Sequence, residues 1–272
     1  MLRSEADRLT RVIVSTPVQE YTKAENLKAH NILEPADKET AVRQHDLIKE
    51  TMRSFGSEVI DVPELEGHPN SVFTRDTALC TPDGYVYLRP GISTREKEAD
   101  WMAAVLEDIG EPCVGRIMAP GSVDGGDVVL TSDVAFVGLS QRTNEEGIRQ
   151  LTQILGDMAY EVRTVPLPTT ILHLDKVLMP VRPGQLLVSQ NVVSQKSLDG
   201  FDSIDIECSG PSMSNIICLG DGEIIVGASN EGAILKLEGE GLKLHVLSMS
   251  EFSKGDAGPN CLIMPLERKA SR

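Results

Sequence analysis

Five short apolar runs along the chain begin in the same way, each with an Asp or Asn at its start. The opening residues are Asp76, Asp127, Asp175, Asn215 and Asn260, and the steps between them are 51, 48, 40 and 45 residues. A period in this range is typical of propellers and stacked repeats rather than of a two-layer fold. The pattern therefore predicts equivalent units whose opening residues converge on a common axis.

The stretches between these openings predict the same order of elements in each unit. A turn signal and a second apolar run follow four of the openings, which indicates β-hairpins; the second runs are 85–88, 134–137, 186–188 and 224–226. Helix-like segments with polar starts follow three of the hairpins, at 96–109, 145–158 and 231–237. A single strand then closes the unit, so each unit is predicted to run hairpin, helix, strand.

The first unit is incomplete at its own end of the chain. It supplies a strand at 11–14, a helix at 38–55 and a strand at 58–62, and its missing partner is the run that begins at Cys261. Pairing the first and last segments closes a ring and hides an edge that would otherwise invite aggregation. The predicted fold is a closed α/β propeller of five units in a single domain, 1–272. The irregular stretch 17–37 is expected to be a functional lid or disordered.

Composition narrows the class of partner. The chain of 272 residues has 41 acidic and 26 basic residues and a formal charge of -15, which argues against nucleic acid and weakly favours a small cationic substrate. No apolar run is long enough for a signal peptide core or a membrane span. Five cysteines without a paired spacing indicate reduced thiols in a cytoplasmic protein. Apart from Cys261, they are expected to be structural: Cys80, Cys113, Cys208 and Cys218. Whether the chain forms a homo-oligomer is left open.

Two residues at equivalent repeat positions carry candidate chemistry. Cys261 follows Gly258-Pro259-Asn260, a turn that would present its thiol at the start of a strand, and His173 lies among apolar neighbours. Either residue alone is more typical of a packed core. A thiol needs a proton acceptor or a positive environment to act as a nucleophile near neutral pH, and the ring would bring the imidazole to it.

Several carboxylates are predicted to converge on the same cavity. They are Asp76, Asp124, Asp127 and Asp175, and the last lies two residues after His173, on the same face if that segment is extended. Such carboxylates repel one another unless a cation lies between them. A planar guanidinium group would supply that cation, since its N–H fork pairs bidentately with carboxylates.

Two basic residues near the same openings have a separate candidate use. Surface solvation is the simpler interpretation of Arg95 and Arg142, which follow the second and third hairpins. The functional alternative is a clamp for a substrate carboxylate, helped by the amide of Asn70.

Motifs in matching order resemble a known group of enzymes. They are Phe-Thr-Arg-Asp at 73–76, Asp-Gly-Gly-Asp-Val at 124–128, Gly-Leu-Ser-Gln-Arg-Thr-Asn at 138–144, Leu-His-Leu-Asp at 172–175 and the late Cys261. The chain resembles the guanidino-group-modifying superfamily, most closely dimethylargininase and arginine deiminase. That resemblance implies a five-bladed α/β propeller with a catalytic cysteine.

The resemblance also implies roles for the candidate residues. Cys261 would attack the guanidinium carbon, and His173 would protonate the departing amine and then activate water to hydrolyse the thiouronium intermediate. Asp124 would orient and stabilise His173 or grip the substrate. Asp76 and Asp175 would hold the guanidinium nitrogens, and Arg95 and Arg142 would bind the carboxylate. No metal or organic cofactor is implied, and the product would be citrulline.

Departures from each relative leave alternatives open. Dimethylargininases usually carry an acid in place of Arg75 and a lysine in place of Asp175, so both residues resemble arginine deiminase and favour unmethylated arginine. The short chain, the 140–144 stretch and Asp124 instead resemble dimethylargininase. An arginine dihydrolase, an amidinotransferase and a non-catalytic ribosome-binding propeller of the same fold are the alternatives.

Overall fold

The structure is a computed structural model that describes residues 2–207 and 213–270. Its strands, in chain order, are β1 (Arg8–Ser15), β2 (Glu58–Val62), β3 (Ala78–Thr81), β4 (Gly84–Tyr87), β5 (Cys113–Arg116), β6 (Val128–Leu130), β7 (Val134–Leu139), β8 (Glu161–Pro166), β9 (Leu178–Arg182), β10 (Gln185–Val188), β11 (Asp202–Asp205), β12 (Ile217–Gly220), β13 (Glu223–Gly227), β14 (Lys243–Leu247) and β15 (Met264–Lys269). The α-helices are α1 (Lys38–Phe55), α2 (Glu96–Asp108), α3 (Glu145–Asp157), α4 (Glu231–Gly239) and α5 (Ser250–Ser253).

Within the described residues these strands form five three-stranded sheets, in the orders β15-β1-β2, β3-β4-β5, β6-β7-β8, β9-β10-β11 and β12-β13-β14. In each order the first strand is the inner strand, nearest the axis, and the last is the outer strand. The middle strand pairs antiparallel with the inner strand and parallel with the outer strand. In four sheets a hairpin therefore comes first and a crossover leads to the outer strand, whereas in the β15-β1-β2 sheet the inner strand comes from the far end of the chain. The crossovers contain α1, α2, α3 and α4, and a short 3-10 helix, Gln195–Leu198, in the fourth unit. The predicted unit and the closure of the ring by the chain ends are both confirmed.

The residues that open the repeats lie in tight turns rather than in strands. Four of these turns are 3-10 helices: Thr74–Asp76, Gly125–Asp127, Leu174–Lys176 and Pro259–Leu262. Two expectations were therefore wrong. The last strand begins at Met264 and not at Cys261, and the segment after His173 is a 3-10 turn, so Asp175 does not share a strand face with it. The turns place each opening residue at the start of an inner strand, at one end of the axis.

The inner strands contact strands of neighbouring units, as β15 contacts β3 and β12 contacts β9, and most of their residues are buried. Every residue of β3, β6 and β12 is buried. Cys80 and Cys218 lie in this core, as expected, whereas Cys113 is exposed at the start of β5. Cys208 lies outside the described residues.

The segment before β1 crosses the opposite end of the axis. The amide N of Leu2 donates to the carbonyl of Thr81, and the amide N of Glu5 donates to the carbonyl of Leu130 at 2.8 Å. Both acceptors end an inner strand, so this segment lies at the end of the ring remote from the turns. In the described part of the chain, no helix combines the length and the apolar character needed to cross a membrane.

The stretch 17–37 is ordered into two 3-10 helices, Tyr21–Lys23 and Leu27–His30. It packs through Tyr21, whose ring contacts Phe73 and Phe252 and whose hydroxyl donates to the carbonyl of Glu251 at 2.7 Å. The stretch therefore lies over the turns that begin the inner strands. Its function as a lid stays a prediction.

Candidate active site

A small cavity lies where the turns meet. Six of the eight predicted site residues line it: Asn70, Asp76, Arg95, Arg142, His173 and Cys261. The rest of the lining comes from His30 and Asn31 of the 17–37 stretch, Phe73, Leu172 and residues 255–257. The cavity measures about 30 Å³, well below the roughly 300–1,000 Å³ that is typical of small-molecule pockets. An amino acid enters only if part of this lining moves.

The thiol of Cys261 is buried among carboxylates. It is 6% exposed, and the amide of Asn215 donates to its sulfur at 3.4 Å. The same Asn215 accepts the backbone N–H of Asn260 at 2.9 Å, which fixes the turn that carries the thiol. Burial, and then the charges of Asp175 and Asp76, raise the pKa of Cys261 far above its ordinary value. The empty site therefore holds a neutral thiol, and a cation among the carboxylates would bring this pKa down.

His173 lies between two carboxylates. Its Nε2 donates to Asp124 Oδ2 at 3.1 Å, and its Nδ1 is 3.7 Å from Asp76 Oδ1. Gly126 permits this arrangement, because a Cβ there would lie 2.7 Å from Nδ1 of His173 and 2.9 Å from Oδ1 of Asp76. Burial alone lowers the pKa of His173, but the charge of Asp76 and the bond to Asp124 outweigh it and raise the pKa to about 9. The imidazole is thus a proton donor at neutral pH.

Asp124 lies behind His173 and does not line the cavity. Its Oδ1 accepts the backbone N–H of Gly91 at 2.8 Å, and Arg142 Nη1 is 3.4 Å from its Oδ2. Burial raises the pKa of Asp124, but His173 and Arg142 outweigh this and lower it to about 2. A fully buried, ionised carboxylate in this position holds the imidazole through that hydrogen bond.

Arg95 and Arg142 differ in how many of their guanidinium N–H groups already have an acceptor. In the described part of the chain Arg95 donates to four acceptors: Asp76 Oδ2, Glu98 Oε2 and the carbonyls of Asn70 and Phe73. The side chain of Arg142 donates, in the same part of the chain, to Asp124 alone. Arg142 therefore has more donors left for a further acceptor than Arg95, whose guanidinium holds Asp76 in place.

Two further predicted residues have unequal access to the cavity. Asn70 lines it, donates from Nδ2 to the carbonyl of His30 at 2.9 Å, and has no described partner for its Oδ1. Asp175 is fully buried behind the lining; its Oδ2 accepts Nδ2 of Asn260 at 3.0 Å, and its Oδ1 also lacks a described partner. Burial raises the pKa of Asp175. The predicted contact of Asp175 with a guanidinium group needs a side-chain or lining movement.

Comparison with known proteins identifies the family to which this site belongs. The model of the arginine deiminase family matches residues 21–212 and 210–268. The chain belongs to the arginine deiminase family. The expected enzyme class, a hydrolase of the dimethylargininase and arginine deiminase type, is confirmed at this level.

Individual members of the family match over most of the chain. The N(G),N(G)-dimethylarginine dimethylaminohydrolase of Pseudomonas aeruginosa is 28% identical, over 92% of this chain and 97% of its own length. The enzyme of the same name from Streptomyces coelicolor is 27% identical, over 89% and 92%.

Solved structures agree with the five-unit propeller. The Pseudomonas aeruginosa enzyme as a cysteine-to-serine mutant complexed with citrulline has a TM-score of 0.83 at 26% identity, over 94% of this chain and 99% of that one. A histidine-to-glycine dimethylarginine dimethylaminohydrolase, solved as an adduct with S-methyl-L-thiocitrulline, gives the same score, identity and coverage. The N-terminal domain of the arginine dihydrolase ArgZ has a TM-score of 0.84 at 20% identity, over 98% and 100%, which supports the fold alone.

Sequence reasoning missed several residues that build the family site. Asn215 holds the thiol, and Asn260 contacts Asp175. Both stand at repeat openings, so the repeat itself was the signal that could have found them. Glu98, the second partner of Arg95, gave no such signal. Asp127, which was predicted to reach the cavity, does not line it; it is buried and accepts the backbone N–H of Leu174 at 3.1 Å.

A metal ion would have to compete with arginines at this site. Asp76, Asp124 and His173 offer ligand atoms within 4.8 Å of one another. However, Arg95 already pairs with Asp76, and Arg142 with Asp124. The protein itself supplies the positive charge to these carboxylates, so a metal ion would have to displace both arginines to bind them.

The ion pair of His173 and Asp124 is expected to make stability depend on pH. The pKa of His173 rises from 6.5 to about 9 on folding, so its contribution is complete below pH 6.5 and is lost as pH rises through 9. The pKa of Asp124 falls from 3.8 to about 2, so its contribution is complete above pH 3.8 and is lost as pH falls through 2. The pair therefore stabilises fully between about pH 4 and 6.5.

Denaturant unfolding of the wild type and His173→Gln at pH 6 and pH 10 measures this effect. We expect the difference in free energy of unfolding between the two proteins to shrink by about 3 kcal/mol from the lower to the higher pH. A difference that does not change with pH would show that the imidazole is not held as a cation.

Proposed function

We propose that this protein hydrolyses the terminal guanidino carbon–nitrogen bond of arginine or an N-methylated arginine, giving citrulline and ammonia or a methylamine. The observation that carries the proposal is the shared cavity of Cys261 and His173, with Asp76 in the same lining and Asp124 behind the imidazole. The names of the matching family members agree with this reaction class.

The first half of the reaction begins when the guanidinium enters among the carboxylates. Its positive charge offsets the carboxylates that raise the pKa of Cys261, so the thiol releases its proton to solvent and becomes a thiolate. The sulfur forms a bond to the guanidinium carbon. The imidazolium of His173 gives its proton to the departing nitrogen as the carbon–nitrogen bond breaks, which leaves a thiouronium bonded to Cys261 and a neutral imidazole.

In the second half, the neutral imidazole of His173 takes a proton from water. The resulting hydroxide adds to the thiouronium carbon, the carbon–sulfur bond breaks, and the electron pair returns to the sulfur as a thiolate. The hydroxyl on that carbon then gives its proton to the thiolate, so citrulline leaves, the neutral thiol of Cys261 is restored and His173 is again an imidazolium. Asp124 stabilises the imidazolium before the reaction and again after it. Arg142 is the candidate partner of the substrate carboxylate.

We also propose that residues 17–37 open to admit the substrate. His30 and Asn31 contribute to the lining of a cavity of about 30 Å³, which is too small for an arginine side chain. The carbonyl of His30 is bonded to Asn70, so one hydrogen bond links the stretch directly to the site.

Substrate choice between free and methylated arginine is expected to depend on Asp175. A carboxylate accepts the N–H donors of an unmethylated guanidinium and competes for space with N-methyl groups. We expect Asp175→Lys to raise the ratio of kcat/KM for monomethylarginine to that for arginine by about tenfold or more. Asp175→Asn, which keeps the size and removes the charge, is the matched control and should move the ratio less. An unchanged ratio in both variants would place the discrimination elsewhere.

Product analysis tests the proposed function. Arginine, monomethylarginine, dimethylarginine and agmatine are each incubated with the enzyme, and the ureido product, ornithine, ammonia and methylamines are quantified with and without an acceptor amine. Hydrolysis predicts one ureido product, citrulline from the arginines and N-carbamoylputrescine from agmatine, for each ammonia or methylamine, and no effect of the acceptor. Ornithine with two ammonia molecules per arginine would instead show a dihydrolase, and an amidino group on the acceptor would show a transferase. No turnover of any guanidine would overturn the proposal.

A further inference from the structure

Asn215 is a buried amide that contacts both the thiol of Cys261 and the turn that carries this thiol. It is 1% exposed, and its Nδ2 lies 3.4 Å from Sγ of Cys261. Its Oδ1 accepts the backbone N–H of Asn260 at 2.9 Å. The proposed reaction gives Asn215 no part so far. A polar group in direct contact with the reacting sulfur nevertheless acts on each charge state through which the sulfur passes.

The bond to Asn260 decides which end of the Asn215 amide faces the sulfur. A backbone N–H can only donate, so the amide atom that it meets must be the oxygen. The NH2 group of Asn215 therefore points to Sγ, and the contact is an N–H···S hydrogen bond. Gly258 leaves room for this amide, because a Cβ there would lie 2.4 Å from Oδ1 and 2.7 Å from Cγ of Asn215.

We propose that Asn215 is a further catalytic residue, which stabilises the thiolate form of Cys261 through this N–H···S hydrogen bond. The inference rests on the proposed function, because it concerns the nucleophile of that reaction. The sulfur carries a negative charge twice: before it bonds to the guanidinium carbon, and again when the carbon–sulfur bond breaks. An N–H group bonds more strongly to an anion than to a neutral sulfur, which is a weak acceptor. Asn215 therefore favours both thiolate states over the neutral thiol and the covalent intermediate.

The surroundings of the sulfur explain why an uncharged donor suits this place. Burial and the charges of Asp175 and Asp76 raise the pKa of Cys261, and the charge of Lys176 lowers it. The carboxylates that oppose a thiolate are also the groups that attract a guanidinium. A second cation beside the sulfur would help the thiolate but repel the substrate. The neutral amide of Asn215 stabilises the thiolate without that repulsion.

Asn215→Asp separates the contact with the sulfur from the contact with the turn. Aspartate is nearly isosteric and keeps an oxygen for the backbone N–H of Asn260, but it replaces the NH2 group beside the sulfur with a carboxylate oxygen. A residue that only held the turn would tolerate this change. A donor to the thiolate would not, because the new oxygen repels the sulfur anion.

The release of methanethiol from S-methyl-L-thiocitrulline in the His173→Gln background measures the step at the sulfur. Methanethiolate leaves without a proton, and the adduct is not hydrolysed in this background, so one burst reports bond formation at Cys261. We expect Asn215→Asp to lower the first-order rate of the burst at saturating substrate by about tenfold or more, since hydrogen bonds to charged groups are the strong ones. The dissociation constant of citrulline should stay within about threefold of the parent value, which reports a folded site and an intact turn.

Two further variants separate the lost donor from the added charge. Asn215→Ala removes the donor without adding a carboxylate and should also slow the burst by about tenfold; it carries the test if Asn215→Asp does not fold. Asn144→Asp makes the same chemical change at the start of α3, where Oδ1 accepts the backbone N–H of Gly147 and Nδ2 donates to the carbonyl of Pro120. This control should leave the burst rate within about threefold of the parent value.

The outcomes distinguish this inference from the proposed function. A burst in Asn215→Asp or Asn215→Ala that is as fast as in the parent, or faster, would overturn the role of Asn215 alone. A slower burst with an equal weakening of citrulline binding would do the same, because it would show that Asn215 only holds the turn. Failure of the His173→Gln parent to form any adduct on Cys261 would remove the proposed nucleophile, and this inference with it.

Discussion

Cys261→Ser is expected to lower the rate of citrulline formation by at least about 10³-fold, because a nucleophile that acts as part of a unit carries most of the catalysis. The hydroxyl of serine stays protonated where a thiol, beside a bound guanidinium, ionises. The change is nearly isosteric, and Asn215 can donate to the new oxygen as it does to the sulfur. Steady-state citrulline production, with circular dichroism to check the fold, measures the effect.

Cys218→Ser provides the matched control for this loss. Cys218 is also a buried thiol, but it lies in β12 and its sulfur contacts the carbonyls of Ala6 and Val181 rather than the cavity. The control should keep activity within about threefold of the wild type, as is usual for substitutions away from a site. Wild-type turnover by the Cys261→Ser protein would remove the nucleophile from the account.

His173→Gln is expected to slow arginine hydrolysis by about 10²- to 10⁴-fold, the range for loss of a general acid–base group. The loss should depend on the leaving group. Arginine must expel a nitrogen that needs a proton, whereas S-methyl-L-thiocitrulline expels methanethiolate, which leaves without one. The variant should therefore release about one methanethiol per enzyme in a burst and then stall, because water is no longer activated.

The amount of methanethiol released, followed by thiol titration, checks this expectation. The wild type should release it continuously under the same conditions. A variant that turns over continuously with both substrates would show that His173 takes no part in proton transfer. Equal slowing of the burst and of arginine hydrolysis would instead show that the imidazole acts only by positioning the thiol.

The fold was predictable because each structural unit corresponds to one repeat of the sequence pattern. The five openings and the hairpins between them fix the number of units, and the helix predicted at 38–55 agrees with α1. The true start of the last strand was not predictable from hydrophobicity, since Cys-Leu-Ile-Met at 261–264 is apolar whether it forms a strand or a turn. Gly258 and Pro259 favour the turn, and strand pairing begins only at Met264.

The convergence of the site was predictable, whereas its pairings were not. Equivalent repeat positions brought Cys261, His173 and Asp76 to one cavity, as the ring requires. Arg95 meets Asp76, 19 residues earlier, which depends on tertiary distances, and it also meets Glu98 in the first turn of α2. Sequence gives the sign of each charge but not which charges meet. For the same reason the sequence did not predict that Asp175 lies behind the cavity lining.

The central claim is that the sulfur of Cys261 becomes bonded to the guanidino carbon of the substrate. Peptide mass mapping of His173→Gln after treatment with S-methyl-L-thiocitrulline tests it most directly, because the adduct should form there and persist. The account predicts one modified peptide, the one that contains Cys261, and no modification when Ser replaces that residue. An adduct on the exposed Cys113 instead, or no adduct while citrulline still accumulates, would contradict it.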